Sequence, residues 1–197
     1  MGDSVHVWIA PAGAEPRTAA HNLLLTLAGS LVDSPALTHD PSGRPHIPGL
    51  AVSISHTHHL VAVTASYDGP LGIDLEELHP RSIRPLAERW FDHSELAWMA
   101  EQSDELTAFL QLWTAKEAVG KALGRGLRSS GLRRRMPLGG GVVESAPEVV
   151  VTYVPWEGAV LALAAPTGLV EIVVHYEAAL RRVGRSRTSF PVVVRGS

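Results

Sequence analysis

"LGIDLEELH", Leu71 to His79, sets three carboxylates, Asp74, Glu76 and Glu77, among mostly apolar neighbours. Its length and its Ile and Leu content suit a β-strand. In an extended strand, residues two apart point the same way and lie about 6 to 7 Å apart, so Asp74 and Glu76 share a face and Glu77 takes the other. Two unit charges at that separation repel by roughly 2 to 2.5 kcal/mol at an effective dielectric near 20. A solvated acidic edge strand would dissipate that repulsion in water. Leu71, Ile73 and Leu75, at alternate positions, point instead to at least one buried face, where a cation or a shared proton becomes the remedy.

On the N-terminal side, "YDGP", Tyr67 to Pro70, is turn chemistry and marks a junction between two subdomains, residues 1–69 and 70–178. Before it, residues 51–66, "AVSISHTHHLVAVTAS", read as a β-hairpin with the histidines at or near its turn. Earlier still, after Pro16, residues Ala20, Leu23, Leu24, Leu27 and Leu31 recur at helical spacing, the apolar stripe of an amphipathic helix. The prolines and glycines of "LTHDPSGRPHIPG" break regular structure between helix and hairpin.

On the C-terminal side, short helices are expected between His79 and Asp104, where Asp92 with Glu95 three residues on resembles a capping box. Trp90, Phe91 and Trp98 read as core filler between them. A long helix is expected from about Ser103 to Leu123, with Asp104 and Glu105 in its first turn and Gly124 at its end. A basic loop containing Arg133 to Arg135 and three strand-like runs, Val149–Val154, Val160–Ala165 and Leu169–Tyr176, follow. Residues 179–197 read as a loosely attached basic tail with little to order it. A helix with strands in each half makes this an α+β chain: two similar subdomains side by side, each with a helix packed on a small antiparallel sheet.

The 197 residues are 45% hydrophobic and 19% charged, enough for a real core and unlike a disordered chain. A net charge of −3, from 17 Lys+Arg against 20 Asp+Glu, gives no electrostatic case for nucleic acid. The absence of cysteine removes disulfides, thiolate catalysis and cysteine-ligated zinc, and fits a cytoplasmic protein. No signal peptide is read at the N-terminus, and no apolar run reaches membrane-spanning length, so no membrane partner is expected.

The long helix contains "LWTAKEAVGKALGRGL". Glu117 and Lys121 are one turn apart and share a face, while Ala115, Ala118, Val119 and Ala122 form a small apolar stripe suited to close packing on a sheet. Taken alone, Glu117 and Lys121 read as an ordinary surface pair contributing a few tenths of a kcal/mol. With Asp74 and Glu76, however, Glu117 completes a set of three carboxylates suited to Mg²⁺, which leans on substrate phosphates for its remaining ligands. A lysine beside such a metal neutralises phosphate. The chemistry indicated is phosphoryl or pyrophosphate transfer.

"GRPHIP", "ISHTHHLVAV", "GIDLEE", "RWFDHSEL" and "WTAKEAVGKALGRGL", in this order over residues 43–127, resemble the 4'-phosphopantetheinyl transferases of the surfactin-synthetase-activating type. The resemblance implies a holo-acyl-carrier-protein synthase activity. The phosphopantetheine arm of coenzyme A would be moved to a serine of an apo acyl, peptidyl or polyketide carrier protein, leaving 3',5'-adenosine diphosphate. It implies Asp74, Glu76 and Glu117 as magnesium ligands, Glu117 as the group activating the serine, and Lys121 as phosphate contact and proton donor. Lys116 would be a second phosphate contact. Arg44, Ser55 and His56 would hold the nucleotide half, with the backbone at Pro45 lining the adenine site. Asn22 stands where relatives often have arginine, leaving Arg17 as substitute. Glu76 favours the pseudodimeric branch, a monomer with its site in the cleft between two subdomains.

Two other readings stay open at this point. A homologue could bind coenzyme A or a carrier protein without turnover. The cluster His56, His58 and His59 could bind zinc, although a four-ligand site would need distant residues. Arg133 to Arg135 read as a solvated loop by default, or as a surface meeting an acidic carrier protein.

Overall fold

The computed structural model describes residues 4–124, 131–169 and 171–176, with the backbone of 192–196. In chain order the elements are β1 (Ser4–Pro11), α1 (Pro16–Gly29), β2 (Thr38–His39), β3 (Pro45–His46), β4 (Ala51–His56), β5 (Leu60–Ser66), β6 (Gly72–Glu77), α2 (Arg84–Trp90), α3 (His93–Glu101) and α4 (Glu105–Ala122). A short 3-10 turn at Gly131–Arg133 leads to β7 (Gly141–Val143), β8 (Ala146–Trp156), β9 (Ala159–Pro166), β10 (Glu171–Tyr176) and β11 (Val192–Gly196).

Two sheets form, in the orders β11-β10-β1-β5-β4 and β6-β9-β8-β7, beside a small β2-β3 ribbon. Strict alternation along the strands explains how they stack. In β1, Val5, Val7 and Ile9 meet Leu71, Ile73 and Leu75 of β6 and Leu161 and Leu163 of β9 in one core between the sheets. The opposite face of the first sheet, with Val52, Val63 and Ala65, covers Leu24 and Leu27 of α1. The opposite face of the second, with Ala162 and Ala164, covers Ala115, Ala118, Val119 and Ala122 of α4, joined by residues of α2 and α3. The layers therefore run α1, first sheet, second sheet, then α4 with α2 and α3.

The expected helices, the β4-β5 hairpin with its histidine turn, and the helix-on-sheet unit in each half are present. Helix α4 starts at Glu105 rather than Ser103, because Asp104 is the cap: its carboxylate accepts from Thr107 N at 3.1 Å. Three features differ from expectation. Residues 4–11 are a strand, and an inner one of the first sheet. That sheet is mixed: β1 is antiparallel to β5 but parallel to β10, with Ser4 opposite Glu171 and Ile9 opposite Tyr176. The last strand-like run therefore leaves the C-terminal half to complete the N-terminal sheet, so the division at residues 70–178 does not describe a self-contained unit. Of the expected tail, residues 192–196 form β11, parallel to β10; residues 179–191 and 197 lie outside the described residues.

Candidate active site

Helix α4 and strand β6 touch at backbone distance, and Gly72 makes that possible. A Cβ placed there would stand 2.0 Å from the Ala118 carbonyl oxygen and 2.6 Å from the Ala122 nitrogen. With Gly72 on the α4 side, period two puts Asp74 and Glu76 on that side as well, while Leu71, Ile73 and Leu75 enter the core between the sheets. The sequence expectation for this strand's two faces is met.

The outer edge of β6 faces β4, which is not its ladder partner. Two serines of β4 substitute for a neighbouring strand: Ser53 Oγ accepts from Ile73 N and Ser55 Oγ accepts from Leu75 N, both at 3.1 Å. Ser55 Oγ also donates to Asp74 Oδ1 at 3.0 Å. Lys121, from the last turn of α4, closes the same seam. Its ammonium donates to Asp74 Oδ1 at 2.7 Å, to the Ile73 carbonyl at 2.9 Å and to the Ile54 carbonyl at 3.2 Å. Burial raises the Asp74 carboxyl, with Lys121 and Ser55 working against it and Glu76 adding to it.

Glu117, one turn before Lys121, is pushed up to about 7 by burial and by the negative charges of Asp74 and Glu76, against the pull of Lys121. The three acids thus sense one another. Among the described residues, however, no three histidines, cysteines, aspartates or glutamates stand close enough to hold a metal ion as placed. Glu76 turns to Arg81, 2.8 Å away at a half-exposed position. Glu77, on the other face, anchors the histidine turn: it accepts from Thr57 Oγ1 and His59 N and lies 2.8 Å from His59 Nδ1. Burial opposes its ionisation, but those bonds win and hold it down to about 2. With His59 given to Glu77, the histidine turn does not gather as a zinc site.

Next to this seam opens a cleft of ≈ 330 Å³, lined by Arg17 and His21 of α1, His39 of β2, Arg44 and Pro45, Ser53, Ile54 and His56 of β4, and Lys121 and Gly124 at the end of α4. Gly124 has φ +65 and closes the helix, and a Cβ on it would lie 2.7 Å from Arg44 Nη1. Arg44, Pro45, His56 and Lys121 are therefore brought together as expected, and Arg17 joins them while Asn22 does not. Residues 125–127, the end of the helix motif, lie outside the described residues. Ser55 is not in the lining; its hydroxyl is spent on Asp74 and Leu75. His21 and His39, which line the cleft with rings 5.0 Å apart, were not singled out from sequence. Their only signal there is proximity to Arg17 and Arg44 in the chain.

Lys116 requires a correction. One residue before Glu117 is about 100° around the helix, which turns Lys116 away from the cleft and toward α3. Its side chain is 0% exposed, and its ammonium donates to Glu95 Oε1 and Oε2 at 2.7 and 2.8 Å and to the Arg134 carbonyl. It lies 5.1 Å from the Phe91 ring centre. Glu95 also completes the expected capping box of α3 and accepts from Met136 N at 2.8 Å. Burial lowers the Lys116 ammonium, with Glu95 opposing. Enclosed in this way, Lys116 is a structural tie rather than a phosphate contact.

Comparison with known proteins gives a consistent picture. The chain is 34% identical over 88 residues to 4'-phosphopantetheinyl transferase gsp of Aneurinibacillus migulanus, covering 43% of this chain and 36% of that protein. It is 31% identical over 128 residues to 4'-phosphopantetheinyl transferase HetI of a Nostoc species, covering 64% and 47%. With 4'-phosphopantetheinyl transferase AcpT of Salmonella typhi it shares 33% over 104 residues, covering 50% and 54%. The chain thus spans about half the length, or less, of these relatives. A family model described as the 4'-phosphopantetheinyl transferase superfamily matches residues 70–137, from the start of β6 through α4 to the loop that caps Lys116. That segment, which contributes Asp74, Glu117 and Lys121, is what the chain shares with the 4'-phosphopantetheinyl transferase superfamily.

Proposed function

We propose that the chain transfers the 4'-phosphopantetheine arm of coenzyme A to a serine hydroxyl of an apo acyl, peptidyl or polyketide carrier protein, releasing 3',5'-adenosine diphosphate. The observation that carries this reading is the seam where Lys121 meets Asp74, one helical turn from Glu117, with Lys121 also lining a cleft that holds Arg17, Arg44 and His56. A carboxylate in that position can accept the proton of a serine. The serine oxygen forms a bond to the phosphorus that bears the pantetheine arm as the bridging P–O bond breaks. The electron pair of that bond leaves with the adenosine bisphosphate, and the serine proton goes to Glu117.

Asp74, Glu76 and Glu117 fit Mg²⁺ by donor chemistry, since their mutual repulsion is one cause of the raised Glu117. When bound there, the ion would supply charge neutralisation at the pyrophosphate. Lys121 would leave Asp74 to neutralise and protonate the departing phosphate. Arg44 and His56 would hold the nucleotide half beside Pro45, with Arg17 adding positive charge, and Ser55 would orient Asp74. Two subdomains related as a pseudodimer, a monomeric state and a cytoplasmic location accompany this reading. Among the described residues no helix is long and apolar enough to cross a membrane.

The ammonium of Lys121 already occupies Asp74, which favours a second reading: a homologue that binds coenzyme A or a carrier protein without turnover. One experiment separates the two. Apo carrier proteins of acyl, peptidyl and polyketide type are incubated with the protein, coenzyme A and Mg²⁺ and weighed by mass spectrometry. Gain of one phosphopantetheine arm is expected; no gain on any carrier, with coenzyme A bound, would leave the second reading.

A further inference from the structure

One wall of the cleft is a turn: Ser42, Gly43, Arg44 and Pro45 line it, at the tip of the β2-β3 ribbon. The ribbon pairs only Thr38 with His46 and His39 with Pro45, so it has little hydrogen bonding of its own to fix that tip. The bonds come from Asp40, which is exposed and does not line the cleft. Its Oδ1 accepts from Ser42 N at 2.8 Å, from Ser42 Oγ at 2.6 Å and from Arg44 N at 3.0 Å. Its backbone donates to the Arg44 carbonyl at 3.0 Å and accepts from Gly43 N at 2.9 Å, with Gly43 at φ +86 making the reversal. At the far end of the Arg44 side chain, Nη1 stands so close to the end of α4 that a Cβ on Gly124 would lie 2.7 Å from it. That end is the negative pole of the helix, which favours a guanidinium. Arg44 thus runs from a turn in the N-terminal half to the helix that carries Glu117 and Lys121, and Asp40 fixes where it starts.

We propose that Asp40 is a positioning residue for ligand binding: by closing the turn through Arg44 N it holds the Arg44 guanidinium against the end of α4 before any ligand arrives. This rests on the reading of the cleft as a coenzyme A site. A side chain already in place has less freedom to lose when an anion binds to it. By charge alone Asp40 is out of place, since an acid beside a cleft lined by Arg17, Arg44 and Lys121 repels an anionic ligand. Removing that charge and doing nothing else would tighten binding. Removing the hydrogen bonds would weaken it, so the sign of the effect tells the two roles apart.

Asp40→Ala removes both charge and acceptor, whereas Asp40→Asn removes the charge and keeps an oxygen that can close the same turn. Calorimetric titration of coenzyme A into the full chain should show about fivefold weaker binding for Asp40→Ala, and binding as tight as wild type or tighter for Asp40→Asn. In carrier modification, Asp40→Ala should raise the KM for coenzyme A by a similar factor and leave kcat within about twofold. In an Arg44→Ala background, adding Asp40→Ala should change binding by less than about twofold, because the side chain it positions is gone. Thermal unfolding of Asp40→Ala should match wild type, since the residue is exposed and its bonds are local. Unchanged or tighter binding in Asp40→Ala, equal weakening in Asp40→Ala and Asp40→Asn, or a loss that persists in full without Arg44 overturns the positioning role while leaving the transfer reading intact. The expected pattern in a protein unable to modify any carrier keeps the positioning role and removes the transfer reading. Failure of the wild type to bind coenzyme A removes both.

Discussion

Helix α4 carries two lysines five residues apart, each ion-paired to a carboxylate from another element, and their surroundings differ in one respect. Lys116 and Glu95 are both 0% exposed, and Glu95 has further bonds to Asp92 N and Met136 N. Lys121 and Asp74 are 30% and 9% exposed, with Lys121 facing the cleft and Asp74 next to two further acids. The first pair is enclosed, so its charges cannot be exchanged for anything. The second has an open side and an excess of negative charge, so incoming cations and anions can re-partner it. Burial explains why similar ion pairs, five residues apart on one helix, are closed to exchange in one case and open to it in the other.

Breaking the open site should have the largest effect on activity. Glu117→Gln keeps shape and removes the base; carrier modification should fall by about 10² to 10⁴-fold, while the urea midpoint holds or rises. A variant with near-normal turnover would disprove the assigned role. At the enclosed pair, Lys116→Ala leaves Glu95 buried and uncompensated, and about 3 to 5 kcal/mol of stability should be lost. Chemical denaturation measures this, and turnover per folded molecule at low temperature should change little. Gly72→Ala tests what the Lys121–Asp74 pair requires, the approach of α4 to β6. A methyl group 2.0 Å from the Ala118 oxygen must push the helix away, at about 1 to 3 kcal/mol or more, and should slow turnover as well. Ser55→Ala removes one bond to Asp74 and leaves Leu75 N without its acceptor, with an expected cost of about 1 to 3 kcal/mol. Its sharper readout is weakened Mg²⁺ binding by calorimetry.

The smallest effect is on pH. Glu117 keeps its proton up to about 7 in the folded protein but releases it near 4.5 when unfolded, so the folded state holds more protons between those values. Stability from this group therefore falls as pH rises from 4.5 to 7. His21, held down in the fold, contributes slope of the opposite sign, so the comparison is made against Glu117→Gln. Without divalent cations, the difference in unfolding free energy between the two proteins should change with pH across that window and level off outside it.

What could be read from the sequence followed local periodicity. The two faces of β6, the small-residue stripe of α4 and its Gly124 end, the Asp92 capping box and the histidine turn are all decided by residues within a few positions of one another. Lys116 was misread as a phosphate contact because its partner, Glu95, lies 21 residues away on another helix, and nothing local shows that the side chain is enclosed. The hydroxyl of Ser55 looked like a ligand contact because nothing local reveals that β4 and β6 meet edge to edge. His21 and His39 come from elements 18 residues apart that only folding brings face to face. The pairing of β1 with β10 escaped for the same reason on the largest scale, across a separation of 167 residues.

That pairing has a consequence for how the chain is made. When β1 leaves the ribosome it can pair with β5 after a few dozen residues, but its second edge waits for Glu171–Tyr176. Until that segment emerges, a strand reading "SVHVWIAP" offers an open edge, the kind to which other unfinished chains add. A chain stopped before residue 171 would keep every acid of the candidate site and still carry that edge, so its fate would be decided by self-association rather than by its chemistry.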